Sequence, residues 1–317
     1  MIFIVLCHFL QYYGNELAWW FNVGVQIFFC ISGYLYGSKK IASSIDFIIR
    51  NSKKVLIPYF CFLIPVIVLY FVFNRELIGV STVVYALLTS GTIDGIEHLW
   101  FIAYILFCYL MTPYLQALAC KMKKLKWHMF LCAFGLISVL GFLIFYTFKS
   151  YFFFSRIFCY LFGYFGAVFL QNYKKEKIFR ILTLVLVFIT IITNTIRIYF
   201  NYINPISSGV FDLFVQYSHA LLGISITFLF IVLLKNTKRN KILDLSDKYS
   251  FYIYIVHQLF ILSPFSLLTI THYLPLNFLI TIIAILLSAL LLKFIADYVE
   301  KLYTNSLKVI KAKICIS

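Results

Sequence analysis

Polar side chains that could support proton transfer stand near the start of the chain. Gln11, Tyr12 and Asn15 follow His8 at intervals of three, four and seven residues, which places all four side chains on one side of a helix. Activation of an alcohol as a nucleophile requires removal of its hydroxyl proton, and histidine, with an ordinary pKa of about 6.5, is the usual general base at neutral pH. His8 is therefore a candidate catalytic base. The alternative is a structural hydrogen bond that holds the first helix to the second.

A second group of candidates stands where a later apolar run begins. Glu97 and His98 precede this run, and Trp100 lies in its first turn. Aromatic rings stack on the faces of sugars and carboxylates bind sugar hydroxyls, so these three residues are candidates for binding a saccharide. For Trp100 the alternative is a place in the aromatic belt at the membrane–water interface.

Three further ionisable residues lie within or near apolar runs, where an unpaired charge is costly. Arg156 could hold a carboxylate, bind the pyrophosphate of an acyl donor, polarise a carbonyl oxygen or extend to the interface. For Arg197 we expect extension to the interface. For His257 we expect a buried ring bonded to a neighbouring helix.

The elements that must position these residues are membrane-spanning helices. Hydrophobic residues make up 63% of the 317 positions and charged residues 12%, whereas soluble domains contain roughly 45–50% apolar residues. We predict an all-α polytopic bundle of about ten transmembrane spans, because a span needs about 20 apolar residues. The predicted spans are 1–14, 17–37, 55–73, 99–119, 128–148, 152–170, 181–203, 211–234, 249–270 and 277–297.

The basic residues indicate which face each connection occupies. All but five of the 27 Lys and Arg lie in alternate connections or in the C-terminal tail. The five exceptions are Arg75, Lys149, Arg156, Arg197 and Lys293. By the positive-inside rule, both termini are cytoplasmic. The net charge of +16 therefore reflects topology, and we expect no nucleic-acid partner.

The organisation of the chain is simple at the level of sequence. Neither an internal repeat nor a linker rich in Gly, Ser or Pro divides it, so we predict a single transmembrane domain over residues 1–317. The connection 74–98 is long enough for a short helix at the outer interface, where it could cover a site that opens outward.

Six segments of the sequence form an ordered set. They are IFIVLCHF, GVQIFFCISGYLYG, FIIRNSKKVLIPY, HLWFIAYILFCYLMTP, RIFCYLFGYFGA and YSFYIYIVHQLFI. In this order they resemble the acyltransferase-3 superfamily of membrane acyltransferases over nearly the whole chain. The resemblance implies an enzyme that takes acyl groups from acyl-CoA inside the cell and delivers them to hydroxyls of polysaccharide, lipid-linked sugar or peptidoglycan.

The resemblance also implies roles for individual residues. His8 matches the catalytic histidine of the first span, and Arg50 and Lys54 match a basic motif that would bind the phosphates of coenzyme A. Lysine stands at Lys54 where arginine is commoner, which keeps the charge but loses bidentate contact. Arg156 matches a basic position in a Phe-rich span and is a further candidate for donor binding. The alternative for Arg50 and Lys54 is a role in topology or in contacts to anionic lipid headgroups.

The sequence departs from the family pattern at one place. Family members usually carry an arginine eleven residues before the first-span histidine, a position that would precede Met1. We expect that the chain lacks its first dozen or so residues. The alternatives are a divergent enzyme and a non-catalytic membrane module that partners a separate enzyme.

These observations together predict a membrane O-acyltransferase. We expect acetyl-CoA as the acyl donor, no metal, and a surface polysaccharide or lipid-linked saccharide as the acceptor, with the chain among the lipids of a bacterial plasma membrane. The competing hypothesis is a transporter or flippase for polysaccharide or lipid-linked sugar. Such a protein would share a polar cavity but would not require His8.

Overall fold

The structure is a computed structural model that describes residues 1–89, 91–206, 208–238 and 240–314, and every regular element within these residues is helical. The α-helices are α1 (Ile2–Tyr12), α2 (Ala18–Phe21), α3 (Gly24–Gly37), α4 (Ser44–Phe73), α5 (Val80–Leu87), α6 (Phe101–Met122), α7 (Trp127–Thr147), α8 (Tyr151–Tyr173), α9 (Glu176–Ile198), α10 (Gly209–Leu234), α11 (Lys241–Ile261) and α12 (Leu274–Ile314). Short 3-10 turns occupy Arg75–Leu77 and Glu97–Trp100, and a π-helical turn occupies Tyr199–Ile203.

All ten predicted spans coincide with helices, which confirms the all-α polytopic bundle. In the described part of the chain, eight helical segments are long and apolar enough to cross a membrane. They are Ala18–Gly37, Ser44–Phe73, Glu97–Met122, Trp127–Thr147, Tyr151–Tyr173, Glu176–Ile203, Gly209–Leu234 and Leu274–Ser306.

The first and ninth predicted spans correspond to α1 and α11, which are not among these eight. The first is too short, since α1 has 11 residues. The ninth carries charge, since Lys241, Asp244, Asp247 and Lys248 all lie near the start of α11. The count of ten spans and the cytoplasmic location of both termini stay predictions.

The helices are distributed between two compact units whose segments alternate along the chain. Within the described residues, unit 1 takes its residues from Met1–Ala18, Ile48–Leu106 and Arg239–Ser317, and unit 2 from Trp19–Phe47 and Phe107–Lys238. Three helices, α2, α4 and α6, contribute residues to both. The single domain over 1–317 stays a prediction.

Unit 2 depends on very close packing of α3 against α8. A Cβ atom built on Gly33 would overlap the backbone carbonyl of Tyr160, and one built on Gly163 would overlap the carbonyl of Cys30. In lipid, small residues of this kind let two helix backbones approach until dispersion contacts hold them together. The same unit is completed by α10, which packs against α3, α8 and α9.

In unit 1, α1, α11 and α12 pack against one another. Helix α11 contacts both of the others, and the Phe9 ring of α1 lies 4.4 Å from the Phe278 ring of α12. Because α11 contacts α1 directly, side chains on the facing sides of these two helices can meet.

The connection after α4 contains the short helix that the sequence predicts, but its placement differs. The Tyr59 hydroxyl donates to the Ala86 carbonyl near the end of α5, and the Tyr70 hydroxyl donates to the Asp94 carbonyl at 2.7 Å. Tyr59 and Tyr70 lie about 17 Å apart along α4. The segment therefore folds back beside α4 instead of lying flat across its end.

The close contact between α3 and α8 can be tested with one added methyl group. We expect Gly163→Ala to lower the free energy of unfolding by about 1–3 kcal/mol, because backbone atoms of Cys30 and Tyr34 would have to move. Thermal unfolding of the purified protein in detergent measures this effect. Gly135→Ala on α7 is the matched control, since a Cβ there meets nothing within 4 Å. Equal unfolding temperatures for the two variants would contradict the prediction.

Candidate active site

Three histidine rings from three separate segments meet in unit 1. His257 on α11 lies between His8 on α1 and His98. The centroid of its ring is 5.0 Å from the centroid of the His8 ring and 4.8 Å from that of the His98 ring. The centroids of His8 and His98 are 6.5 Å apart. Among the described residues, no group of His, Cys, Asp and Glu side chains is arranged to hold a metal ion. We define His8, His98 and His257 as the histidine cluster.

Within this cluster, His8 has the arrangement of a general base. Its ring is half-buried and directed towards the other two rings, not towards lipid. The Gln11 side-chain oxygen, one turn along α1, lies 3.0 Å from Nδ1. Because that oxygen only accepts, Nδ1 carries the proton and Nε2 presents its lone pair.

The polar stripe that the sequence predicts on α1 is shorter than expected. Gln11 does contact His8, but α1 ends at Tyr12. Asn15 lies beyond that end, and its side-chain oxygen accepts from the Leu17 backbone amide at 2.9 Å. The placement of Asn15 on the helical face of His8 is therefore wrong, because an asparagine just past a helix forms a local turn instead.

His98 is fixed to α11 by hydrogen bonds from both its backbone and its ring. The Tyr254 hydroxyl donates to the His98 carbonyl at 2.6 Å, and the His98 amide donates to the Gln258 side-chain oxygen at 2.9 Å. That same oxygen faces ring atom Nδ1, while Nε2 lies 3.1 Å from the Ile255 carbonyl. Both ring nitrogens therefore face acceptor oxygens inside unit 1, a neutral ring donates to one of them, and the ring is held in one orientation.

His257 is the residue of the cluster that sequence reasoning undervalued. Its ring is fully buried, as expected, but Nδ1 donates to the Tyr254 carbonyl at 2.6 Å on its own helix and not to a neighbouring one. The proton on Nδ1 leaves Nε2 as an acceptor, and no hydrogen-bond partner for this atom lies within the described residues. The only signal in the sequence was the polar pair Tyr254 and His257, one turn apart.

The other two candidates for acceptor binding lie close to His98. Glu97 is exposed, and Trp100 is half-buried with its ring 4.8 Å from that of Tyr104. The structure thus brings a carboxylate and an aromatic ring to the turn that carries His98. Their role in binding an acceptor stays a prediction, and so does that of His98.

The two basic candidates of α4 lie near the start of that helix. Arg50 and Lys54 are exposed and stand one turn apart on the same face. Lys54 lies about 24 Å along α4 from Tyr70, whose hydroxyl bonds the connection that leads to His98. Within unit 1 the basic pair and the histidine-bearing turn are therefore associated with opposite ends of α4.

The two arginines within apolar runs belong to unit 2. Arg156 bends back towards the start of α8, where its Nη1 donates to the Phe152 carbonyl at 2.6 Å and to the Ser155 hydroxyl at 3.1 Å. Its part in donor binding stays a prediction. Arg197 is only 3% exposed, so the expected extension to the interface is wrong. Its guanidinium lies over the Trp19 ring, with Cζ 3.0 Å from the ring centroid.

Three histidine rings from separate segments thus meet in a helical membrane chain, an arrangement that is compatible with a membrane acyltransferase. The family model described as "Acyltransferase domain" matches residues 1–297, a range that includes every candidate discussed above. The chain therefore belongs to the acyltransferase-3 family and is a membrane acyltransferase. No curated protein and no solved structure matches it.

The position of His98 against α11 depends on the connection that precedes it. Gly95 adopts φ +75°, which L side chains rarely adopt, and a Cβ on it would overlap the backbone of Ser263 just after α11. We expect Gly95→Ala to lower the free energy of unfolding by about 2–4 kcal/mol, because the strained φ and the overlap act together. We also expect it to reduce acyl transfer, because it would displace His98.

Thermal unfolding and acyl transfer in membranes provide the two measurements for Gly95→Ala. Gly79→Ala is the matched control, because Gly79 lies in the same connection, has negative φ and would make only ordinary contacts. The prediction is contradicted if Gly95→Ala matches Gly79→Ala in both measurements.

Proposed function

We propose that the protein is an O-acyltransferase that moves an acetyl-type group from cytosolic acyl-CoA to a hydroxyl of a cell-surface polysaccharide or lipid-linked sugar. The observation that carries this proposal is the His8 ring, whose Nδ1 is held by Gln11, so that Nε2 is the nitrogen we propose to accept a hydroxyl proton. Membership of the acyltransferase-3 family supports the reaction type.

In the proposed reaction His8 acts first as a base and then as an acid. Its Nε2 removes the proton of the acceptor hydroxyl while the oxygen attacks the thioester carbonyl carbon. The new C–O bond forms, the C–S bond breaks, and the proton passes from His8 to the sulfur of the leaving coenzyme A. General acid–base catalysis of this kind accelerates a reaction by about 10²–10⁴-fold.

The basic pair on α4 is proposed to hold the donor. Arg50 and Lys54 present two positive charges on one exposed face, and charge-assisted hydrogen bonds suit the phosphates of coenzyme A. Since the pair lies near the start of α4, the thioester at the far end of the extended cofactor would reach along the helix. Arg156 is a further proposed contact for the donor.

The acceptor is proposed to bind near the turn that carries His98. There the Glu97 carboxylate can accept hydrogen bonds from sugar hydroxyls, and the Trp100 ring can stack on a sugar face. Because the ring nitrogens of His98 are engaged by α11, we propose that His98 contributes mainly by shape. Binding of two substrates in a fixed geometry would supply much of the acceleration.

Replacement of His8 tests the proposal directly. We expect His8→Ala to lower acyl transfer by about 10²–10⁴ without lowering the membrane abundance of the protein, because only the base is lost. The assay follows labelled acetyl groups from acetyl-CoA to the surface saccharide in membranes. His272→Ala is the matched control, since this histidine of unit 1 is exposed and lies outside the cluster.

The same variant separates the competing functions. Full transfer in His8→Ala would refute His8 as the base. A chain that lacks transfer in its native form but moves a labelled lipid-linked sugar across the membrane, with or without His8, would be a transporter or flippase. A chain that gains activity only with a separate enzyme would be a non-catalytic module.

Substitutions on α4 test donor binding. We expect Arg50→Gln and Lys54→Gln each to raise KM for acetyl-CoA about threefold to tenfold with little change in kcat, because exposed charge–phosphate contacts are partly screened by water. Lys40→Gln removes a basic residue from the preceding connection and serves as the control. An increase in KM for the acceptor instead of the donor would argue against this assignment.

A further inference from the structure

Arg197 is a buried cation that the proposed reaction does not use. It lies in the last turn of α9 and is 3% exposed, with its Cζ over the Trp19 ring and 5.0 Å from the Trp20 ring centroid. Within the described part of the chain no carboxylate pairs with it. Buried charges normally have such a partner, so the aromatic contacts alone leave this charge only partly compensated.

Two of the three nitrogen atoms of this guanidinium have no partners in the described structure. Its Nε and Nη1 atoms are buried and make no hydrogen bond. The positive charge therefore offers N–H groups that are directed into the interior of unit 2, where a negatively charged oxygen would satisfy them.

His219 on α10 adds another donor next to the same tryptophan. Its ring centroid lies 4.2 Å from that of Trp19, and its Nδ1 lies 3.1 Å from the Gln26 amide nitrogen. Because an amide nitrogen can only donate, Nδ1 accepts and Nε2 carries the proton. This Nε2–H group is buried and makes no well-aligned hydrogen bond within the described residues, although the Trp19 backbone lies within reach of the ring.

The surroundings of Arg197 and His219 favour negative charge. The positive charges of Arg197 and Arg156 both act on the His219 ring. The acidic residues of unit 2 are Asp46, Glu176 and Asp212, and all three are exposed. No acidic side chain of this unit is therefore buried beside the two donors.

The cluster lies on the side of unit 2 where α9 ends and α10 begins, with Arg197 in the last turn of α9 and His219 ten residues into α10, about 15 Å from its start. The opposite end is marked by the ion pair between Glu176 at the start of α9 and Lys235 just after α10. Trp19 and Trp20 are half-buried, so part of the aromatic cover over Arg197 reaches the surface of unit 2. By the positive-inside rule, this end is the extracytoplasmic one.

We propose that Arg197 and His219 form a binding site for a phosphate group at this end of unit 2. A phosphate carries several acceptor oxygens and a negative charge, and it matches donors that come from two helices. The side-chain oxygens of Gln26 and Asn194, which are buried without partners in the described chain, can accept from hydroxyls beside the phosphate. The ligand is thus the phosphate of a phospholipid headgroup or of a phosphate-linked saccharide.

The test measures binding and requires no acyl donor. The full chain, purified in maltoside micelles without added lipid, is heated while its tryptophan fluorescence is followed. One arm adds inorganic phosphate against chloride at equal ionic strength, and the other adds phosphatidylglycerol as mixed micelles. We expect an increase in unfolding temperature in at least one arm.

Arg197→Gln should abolish the ligand-induced increase in unfolding temperature, or raise the ligand concentration that gives half of this increase at least about tenfold. The reason is that the substitution removes the charge-assisted contacts. Arg180→Gln is the control, because this arginine lies on the same helix but is exposed, and it should respond like the native chain. If Arg197→Gln is too unstable to purify, Arg197→Lys keeps the charge, loses the planar guanidinium and should show a severalfold weaker response.

The two arms distinguish the sources of the phosphate. A response to inorganic phosphate that depends on Arg197 indicates a saccharide-borne or free phosphate, and one confined to phosphatidylglycerol indicates a lipid headgroup. No response in the native chain, or equal responses in native chain and Arg197→Gln, would overturn the proposal and leave Arg197 as a structural partner of Trp19. Neither result bears on acyl transfer by His8.

Discussion

The absence of hydrogen-bonding partners in lipid hydrocarbon is the constraint on which this structure depends. It forces the backbone of each spanning segment into helices, because only a helix satisfies its own amide and carbonyl groups. It also makes a buried polar side chain costly unless another helix provides it with a hydrogen-bond partner. In unit 1 the carbonyls of Tyr254 and Ile255 and the amide of Gln258 provide such partners for two histidine rings. These two histidine rings, which would be costly to bury without partners, thus lie where oxygen atoms of α11 can bond them.

The polar atoms that lack hydrogen-bond partners are as informative as those that have them. His8 presents a basic nitrogen beside His257, which suits transfer of a proton from an alcohol. Arg197 and His219 present only donors, in a unit whose acidic side chains are all exposed, which suits an anion. We propose that the first arrangement takes up a proton and returns it, and that the second binds an anion. Each unit therefore contributes a distinct kind of polar site to a chain that is otherwise adapted to lipid.

Small residues determine how closely the polar groups are held. Gly33 and Gly163 let α3 and α8 touch through their backbones, which fixes Gln26 on α3 relative to unit 2. Gly95, with its positive φ, lets the connection before His98 lie against the backbone that follows α11. These glycines take no part in chemistry. Because they lack side chains, the backbone segments around them approach closely enough for hydrogen bonds of about 3 Å to form nearby.

The sequence by itself determined the helical class, the approximate positions of the long helices, the family and the candidate base His8. All of these follow from local composition, from ordered motifs or from a residue type at helical spacing. Tertiary structure alone decided that His98 joins α11 through Gln258, 160 residues away, that His257 completes the cluster, and that Arg197 is buried beneath Trp19 instead of reaching the interface. The physical reason is that helical periodicity shows which side chains share a face, whereas the identity of the facing helix depends on how the whole chain packs.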